Sequence, residues 1–174
     1  NGNCSSSNFY DGFESGNIAT WTPGVSYTYS VSNTVSANGN FSLQQTGAGS
    51  HFGGLSHTFT PDTPSYISVN LRTEQSSTFN NYFVVGDASS SSNFGIIFLY
   101  AFQGNYRLYA NTSVDANTPY NVGQWYHFEF KNINFITKTF DYYVDGNLIY
   151  ANFPFRSTAS VDVSEIQLYN VNDE

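Results

Sequence analysis

Charged residues are scarce in this chain. Only 10% of its 174 residues are Asp, Glu, Lys or Arg, Met is absent, and there is a single cysteine, Cys4. The strong helix formers Glu, Lys and Met are therefore few, which argues against a helical domain. One cysteine excludes an internal disulfide bond. No apolar run reaches the roughly 20 residues that a membrane-spanning helix requires.

Basic residues are the scarcest charged group. Five Lys and Arg stand against 13 Asp and Glu, which gives a formal net charge of -8. This balance provides no basic surface that neutralises phosphates or holds an anionic membrane. We therefore expect neither a nucleic acid nor a membrane as the partner.

Aromatic residues are abundant by contrast. The chain has 16 Phe, 14 Tyr and 2 Trp, together 18% of its residues. Such side chains suit the half-buried surface of a β-sheet. Short segments of alternating polarity are separated by clusters of Gly, Pro, Asn and Ser, the pattern of a sandwich or barrel. We predict an all-β fold, a two-sheet antiparallel β-sandwich of the jelly-roll type.

Eleven strands are predicted within this fold. Two tight turns, Gln103-Gly104-Asn105 and Asp145-Gly146, each close a hairpin because their residues tolerate positive φ. Residues 1–8 are interpreted as a polar leader or linker end, 9–174 as one domain, and 87–93 as a mobile loop. The predicted strands are 27–32, 41–45, 54–59, 66–72, 82–86, 95–102, 106–110, 125–131, 140–144, 147–151 and 163–169.

Alternation within strands predicts which side chains face the core, since successive residues point to opposite sides of a sheet. The segment 66–72 sends its three aliphatic residues inward and its polar residues outward. The segment 125–131 sends three aromatic residues inward and its other four residues outward. The predicted inward residues are Ile67, Val69, Leu71, Tyr126, Phe128 and Phe130.

Two parts of the chain resemble a known group of domains. The segment Val122-Gly123-Gln124-Trp125-Tyr126-His127-Phe128, with Tyr143-Val144-Asp145-Gly146 after it, resembles the late strands of laminin G-like and related concanavalin A-like domains. The opening Asp11-Gly12-Phe13-Glu14-Ser15-Gly16, with Asn38-Gly39-Asn40-Phe41-Ser42-Leu43, resembles the start of jelly-roll carbohydrate-binding modules. This resemblance implies the same fold. Solubility that comes from Asn, Ser, Thr and Gly rather than from charge is common in extracellular modules, so we expect a secreted or cell-surface location.

The resemblance also implies a structural calcium ion. In modules with such an opening, the ion is held by the first and last strands, and the matching candidates are Glu14, Asn38, Asn40 and Glu165. Oxygen ligands of this kind suit Ca²⁺. The alternative is that Glu14 caps a turn and Glu165 is a solvated charge.

Catalytic motifs are missing. Hydrolysis of a glycosidic bond uses two carboxylates, and the Glu-x-Asp-x-x-Glu strand of laminarinase-type enzymes does not occur. Only Arg72-Thr73-Glu74 matches a strand of alginate-lyase-like enzymes. There is no Gly-x-Ser-x-Gly motif, and the three His and one Cys lack zinc-ligand spacing. We therefore expect a protein without enzymatic activity.

Outward polar and aromatic residues of the strands are candidates for ligand binding, because rings stack on sugar C–H faces and polar groups bind hydroxyls. The alternative for each is cross-strand pairing. Trp21 and Trp125 are assigned mostly to packing. The ligand candidates are Asn70, Arg72, Tyr82, Arg107, Tyr109, His127 and Tyr143.

Three functions remain open from the sequence. The leading hypothesis is a non-catalytic carbohydrate-binding module for an extracellular polysaccharide, a monomeric part of a larger chain that includes a polysaccharide-degrading enzyme. The second is a laminin G-like adhesion or protein-interaction domain. The third is a small polysaccharide lyase.

Overall fold

The computed structural model describes residues 9–47, 49, 51–87, 95–110 and 115–171. The predicted leader, with Cys4, and all of the predicted loop except Asp87 lie outside the described residues. Across the described ranges there is no helix, and so none long and apolar enough to cross a membrane.

The strands are β1 (Thr28–Ser32), β2 (Ser42–Thr46), β3 (Leu55–Asp62), β4 (Tyr66–Arg72), β5 (Asn80–Gly86), β6 (Ile97–Phe102), β7 (Asn105–Tyr109), β8 (Asp115–Pro119), β9 (Trp125–Asn134), β10 (Thr139–Val144), β11 (Asn147–Pro154) and β12 (Val163–Tyr169).

Two large antiparallel sheets form the sandwich. One has six strands in the order β3-β12-β5-β6-β7-β8, and the other has four in the order β11-β10-β9-β4. Strands β1 and β2 make a separate two-stranded sheet. Buried residues of both large sheets belong to one hydrophobic cluster, so the sheets pack face to face. The predicted all-β, two-sheet antiparallel sandwich is confirmed, with β1 and β2 as an addition to it.

Strand prediction from alternation is confirmed for all strands except β8. The segments 66–72 and 163–169 match β4 and β12 at both ends, and the other bounds differ by a few residues. The sequence of β8 is Asp-Ala-Asn-Thr-Pro, in which only Ala116 is buried. Edge strands tolerate Pro and polar residues because one side of their backbone needs no partner strand. The local pattern of β8 therefore resembles a loop.

Aromatic rings fill the space between the sheets. Phe128 and Phe130 of β9 and Tyr142 of β10 are fully buried opposite Tyr106 of β7. Ring centroids of Tyr106 and Phe128 are 4.7 Å apart, and those of Phe130 and Tyr142 are 5.7 Å apart. Each buried ring contributes roughly 1.5–3 kcal/mol through burial of apolar surface. The predicted inward set of β9 is thus confirmed.

The inward set of β4 is confirmed as well. Leu71 is buried, while Ile67 and Val69 are partly buried and pack against the same cluster.

Both predicted hairpin turns are also present. Gln103 and Gly104 have φ of 49° and 72°, and Asp145 and Gly146 have φ of 49° and 78°. Positive φ at both central residues gives a turn whose twist matches the flanking strands.

A buried group of hydrogen bonds ties the two sheets together. The hydroxyls of Thr73, just after β4, and Tyr106 of β7 are 2.6 Å apart. The amide nitrogen of Asn81 in β5 donates to Tyr106 Oη at 3.1 Å and to Thr73 Oγ1 at 2.8 Å. Burial raises the pKa of Tyr106, so its hydroxyl stays neutral. Each of these three side chains thereby has a partner.

Removal of the Tyr106 hydroxyl tests this tie. In Tyr106→Phe, Thr73 and Asn81 each lose a partner inside the protein, so we expect the free energy of unfolding to fall by about 1–3 kcal/mol. Urea denaturation measures the difference. Tyr66→Phe is the control, because the hydroxyl it removes binds Glu129 on an exposed surface, and it should cost less than about 0.5 kcal/mol. Equal losses in both variants would contradict the account.

Candidate functional site

The structure divides the seven predicted ligand residues between two surfaces. Four of them lie on the outward side of the four-stranded sheet and three on the outward side of the six-stranded sheet. Because the sheets pack through their inward sides, these surfaces face opposite directions and the seven residues do not form one site. The first group is Asn70, Arg72, His127 and Tyr143, and the second is Tyr82, Arg107 and Tyr109.

A cavity of about 400 Å³ lies at one end of the four-stranded sheet. It is formed where β4 ends and β9 begins, beside the loop between β1 and β2 and the turn between β10 and β11. We call it the Trp125 pocket. Two predicted ligand residues and one predicted calcium ligand contribute to it. Its lining residues are Ala37, Asn38, Asn70, Trp125, Tyr126, His127 and Asp145.

Hydrogen bonds hold the polar side chains of the Trp125 pocket. His127 Nδ1 lies 2.7 Å from Asn70 Oδ1, and since that oxygen only accepts, Nδ1 carries the proton. The backbone N–H of His127 donates to Asp145 Oδ1 at 2.8 Å. The His127 side chain remains 40% exposed, and its Nε2 lies 3.9 Å from Glu129 Oε1. A site held in this way loses little conformational entropy on binding.

Trp125 is the pocket residue that sequence analysis undervalued. It was assigned mostly to packing, but it is only half-buried and lines the cavity. Strand alternation indicated this position, because Trp125 and His127 are two residues apart on β9 and therefore face the same outward side of the sheet. Trp21, by contrast, is buried, and its indole N–H donates to Asp11 Oδ2 at 2.7 Å. Packing is therefore the role of Trp21.

The other two candidates on this sheet lie outside the pocket lining and have partners of their own. Arg72 Nε is 2.7 Å from Glu74 Oε1 in an exposed ion pair. The Lys131 ammonium lies 4.5 Å from the centre of the Tyr143 ring. Thr73, between Arg72 and Glu74, is buried, so the lyase-like fragment presents a paired Arg and an inward Thr. Ligand contact by Arg72 and Tyr143 stays a prediction.

The outward side of the six-stranded sheet carries a layer of rings. We call it the aromatic face. Tyr82 stacks between Tyr169 and Tyr100, at centroid distances of 4.6 Å and 5.1 Å, and is only 4% exposed. Burial raises the pKa of Tyr82 and of Tyr100. The aromatic face comprises Tyr82, Phe98, Tyr100, Phe102, Arg107, Tyr109, Arg156, Gln167 and Tyr169.

Glu14 holds a turn through hydrogen bonds. Its Oε1 accepts the backbone N–H groups of Asn40 and Phe41, each at 3.0 Å, and Oε2 accepts from Asn40 at 3.1 Å. These bonds lower the pKa of Glu14. Gly39 has φ of 71°, and a Cβ there would overlap the Glu14 carboxylate. The contacts fit the turn-cap alternative that the sequence left open.

The same contacts do not fit a calcium site. Ca²⁺ takes roughly six to eight oxygens, whereas both oxygens of Glu14 face N–H donors. Glu165 lies on β12 and accepts a 2.7 Å bond from Gln167. Within the described part of the chain, no group of three or more His, Cys, Asp or Glu residues could hold a metal ion. Calcium binding by Glu14, Asn38, Asn40 and Glu165 stays a prediction.

No protein-family model and no curated protein sequence matches the chain. Solved structures do match its fold. The globular domain of T. cruzi calreticulin has a TM-score of 0.59 at 11% identity, covering 90% of this chain and 81% of that one. The cellulose-induced protein Cip1 has a TM-score of 0.55 at 16% identity, covering 90% of this chain and 92% of that one.

A sialidase also matches in structure. Its TM-score is 0.54 at 19% identity, over 64% of this chain. The chain spans only 10% of the length of that sialidase. At these identities the likeness shows the β-sandwich fold alone, which unrelated functions share.

A pH series tests the role of Glu14. Its pKa in the folded protein lies below the ordinary value of 4.5, so its contribution to stability is present above pH 4.5 and is lost as the pH falls through the folded pKa. Glu14→Gln should therefore lower the melting temperature at pH 7, and this difference should shrink as the pH falls below 4.5. Thermal melts from pH 7 to pH 3 measure it. A constant difference would contradict the turn-cap role.

Melting with a chelator is the companion measurement. The turn cap predicts the same melting temperature for the parent protein with and without EDTA at pH 7. A lower melting temperature in EDTA, absent in Glu14→Gln, would support calcium at Glu14 instead.

Proposed function

We propose that the protein is a non-catalytic carbohydrate-binding module for an extracellular polysaccharide, and that the Trp125 pocket contacts the sugar. The observation that carries the proposal is the composition of this pocket. One cavity of about 400 Å³ combines an indole, an imidazole, two carboxamides and a carboxylate. Its volume lies in the usual range of roughly 300–1,000 Å³ for small-ligand sites.

The chemistry of the pocket suits a neutral, hydroxyl-rich ligand. The Trp125 ring offers an apolar surface to the C–H face of a sugar. Asp145 accepts hydrogen bonds, and the amide groups of Asn38 and Asn70 both donate and accept them. No Lys or Arg is among the described lining residues, so nothing there favours an anionic ligand.

The same composition argues against catalysis at this place. Asp145 is the one carboxylate of the described lining, and its Oδ1 is used by the His127 backbone. Cleavage of a glycosidic bond by the usual route requires two carboxylates roughly 5–10 Å apart. The sequence also lacks the Glu-x-Asp-x-x-Glu motif that supplies such a pair in laminarinase-type enzymes. The proposal is therefore binding without hydrolysis of a glycosidic bond.

The wider setting is part of the proposal. Two proteins of similar fold have names that refer to glycans, the sialidase and the cellulose-induced protein. These names support a polysaccharide as the ligand. A secreted or cell-surface location is part of the same proposal. A module of this kind is useful when it holds a polysaccharide-degrading enzyme near its substrate.

Strand β11 favours the adhesion or protein-interaction alternative. It is the outer strand of the four-stranded sheet, and Leu148, Ile149 and Tyr150 on it are exposed. An exposed apolar edge strand is a template for a strand of another protein. If this alternative were correct, Ile149→Lys would abolish partner binding and leave sugar binding unaffected.

Loss of the Trp125 ring tests the proposal. Affinity electrophoresis in gels that contain hydroxyethylcellulose, laminarin, xylan or galactomannan identifies a ligand, and calorimetric titration with its oligosaccharide gives the affinity. In Trp125→Ala the lost stacking should cost about 1–3 kcal/mol of binding free energy. Asn70→Ala should weaken binding as well, because it also removes the partner of His127.

Tyr66→Ala is the matched control. Tyr66 is an exposed aromatic residue of the same sheet, at the start of β4 and away from the pocket, and this variant should bind like the parent protein. Retention of full affinity in Trp125→Ala, or no retardation in any of the gels, would remove the Trp125 pocket as the site.

A further inference from the structure

Two of the three arginines of this acidic chain lie on the aromatic face. The guanidinium carbon of Arg107 is 4.7 Å from the centre of the Phe102 ring, and that of Arg156 is 4.2 Å from the centre of the Phe98 ring. A guanidinium over a ring is stabilised by the ring electrons while its N–H edge stays available to an anion. Both cations are thus held in place on the same outward surface.

The rings near the two arginines form one continuous surface. The Phe98 centroid lies 6.0 Å from that of Tyr100 and 6.1 Å from that of Tyr109. Tyr100 is directly opposite Arg107 in the register of β6 and β7. Phe102 stacks on Phe79 at 3.8 Å, which supports the ring beneath Arg107. Phe98 is only 6% exposed, whereas Tyr100, Phe102 and Tyr109 are partly exposed. A ligand on this surface therefore meets these three rings beside Arg107.

Arg107 differs from Arg72, Lys131 and Lys138 in its partners. Lys131 and Arg72 each pair with a glutamate, and the Lys138 ammonium donates to the Ser160 carbonyl at 2.6 Å. Among the described residues, by contrast, no carboxylate lies within 4 Å of the Arg107 guanidinium. The guanidinium lies over the Phe102 ring and forms a hydrogen bond with Tyr100. Its charge is therefore held in place without being neutralised by a carboxylate of the described residues.

Two buried polar atoms on the aromatic face lack a partner. Arg107 Nε is buried and has no hydrogen-bond partner within the described ranges. Gln167 lies on this side of β12, is only 8% exposed, and its Oε1 is likewise buried without a partner there. Native proteins leave few such groups unsatisfied. Arg107 Nε needs an acceptor, whereas the Gln167 oxygen needs a donor such as a hydroxyl.

We infer that the aromatic face is a second binding surface, separate from the Trp125 pocket, whose ligand is an acidic sugar. Arg107 binds the carboxylate, Arg156 adds positive charge near Phe98, and Tyr100 and Tyr109 contact the sugar ring. The exposed Asp115 is opposite Tyr109 on β8 and repels carboxylates at that edge. The acidic group is therefore directed toward Arg107.

Two probes that differ in the methyl esterification of the carboxylate, and hence in charge, test this inference. Polygalacturonate carries a carboxylate on each sugar, and fully methyl-esterified polygalacturonate carries none. Affinity electrophoresis of the parent protein should show retardation by polygalacturonate and much weaker retardation by the ester. Alginate and glucuronan, run in parallel, extend the test to other uronates. Absence of retardation by all three acidic polysaccharides would overturn the inference.

Substitutions assign the binding to the aromatic face. Arg107→Gln should weaken polygalacturonate binding about tenfold or more, the loss expected for a charge-assisted hydrogen bond, and Arg107→Lys should lie between it and the parent. Lys131→Gln removes the same charge from the opposite sheet and should leave binding unchanged. Urea denaturation of each variant verifies that it is folded.

A Trp125→Ala arm separates the two surfaces. This variant should bind polygalacturonate like the parent protein while it loses the neutral polysaccharide. If Trp125→Ala loses polygalacturonate and Arg107→Gln retains it, the acidic ligand belongs to the Trp125 pocket and the second surface is wrong. If Arg107→Gln loses it while no neutral polysaccharide binds at all, the inference stands and the proposed function of the pocket falls.

Discussion

The packing of aromatic rings between the two large sheets is the constraint on which the rest of the structure depends. Rings from β9, β10 and β7 meet in the interior, and Phe128 and Phe130 are fully buried there. Strict alternation along a strand then directs their neighbours outward. His127 and Trp125 face the pocket because Phe128 and Tyr126 face the core. A one-residue change of register would exchange the two sets.

The small number of charged residues determines the chemistry of both outward surfaces. In a protein with few ion pairs, polar side chains are held by hydrogen bonds between neutral groups, as in the contact of His127 with Asn70. Neutral groups of this kind match sugar hydroxyls and need little desolvation energy compared with charged groups. Against this background Arg107 lies over the Phe102 ring with no carboxylate within 4 Å in the described part of the chain, which is why we infer an acidic ligand there.

Local patterns in the sequence predicted most of the fold. Alternation located strands such as β4 and β9, and turn chemistry located the hairpins at Gly104 and Gly146, because both depend on residues close together in the chain. Strand β8 was not predicted, since a polar edge strand has no such pattern. The contact of Glu14 with Asn40 joins residues 26 positions apart, and only the alternative of a turn cap anticipated it.

The candidate site was harder to predict, because alternation tells inward from outward but not which sheet a strand joins. Asn70 and Arg107 are both outward, yet β4 and β7 belong to opposite sheets. The pocket also needs the β1–β2 loop to lie beside β9, a contact that no local pattern specifies. Two of its residues, Asn70 and His127, were nevertheless among the ligand candidates, since polar outward residues are the chemistry that a sugar requires.

The two indole groups of the chain provide the most direct measurement. In a ¹H–¹⁵N correlation spectrum each tryptophan gives one indole N–H signal, and Trp21 serves as an internal reference because its N–H is bound to Asp11 inside the protein. Titration with the oligosaccharide of the polysaccharide that retards the protein should move the Trp125 signal and leave that of Trp21 in place. If the protein is saturated with the sugar and the Trp125 signal has not moved, the sugar binds elsewhere and the central claim is wrong.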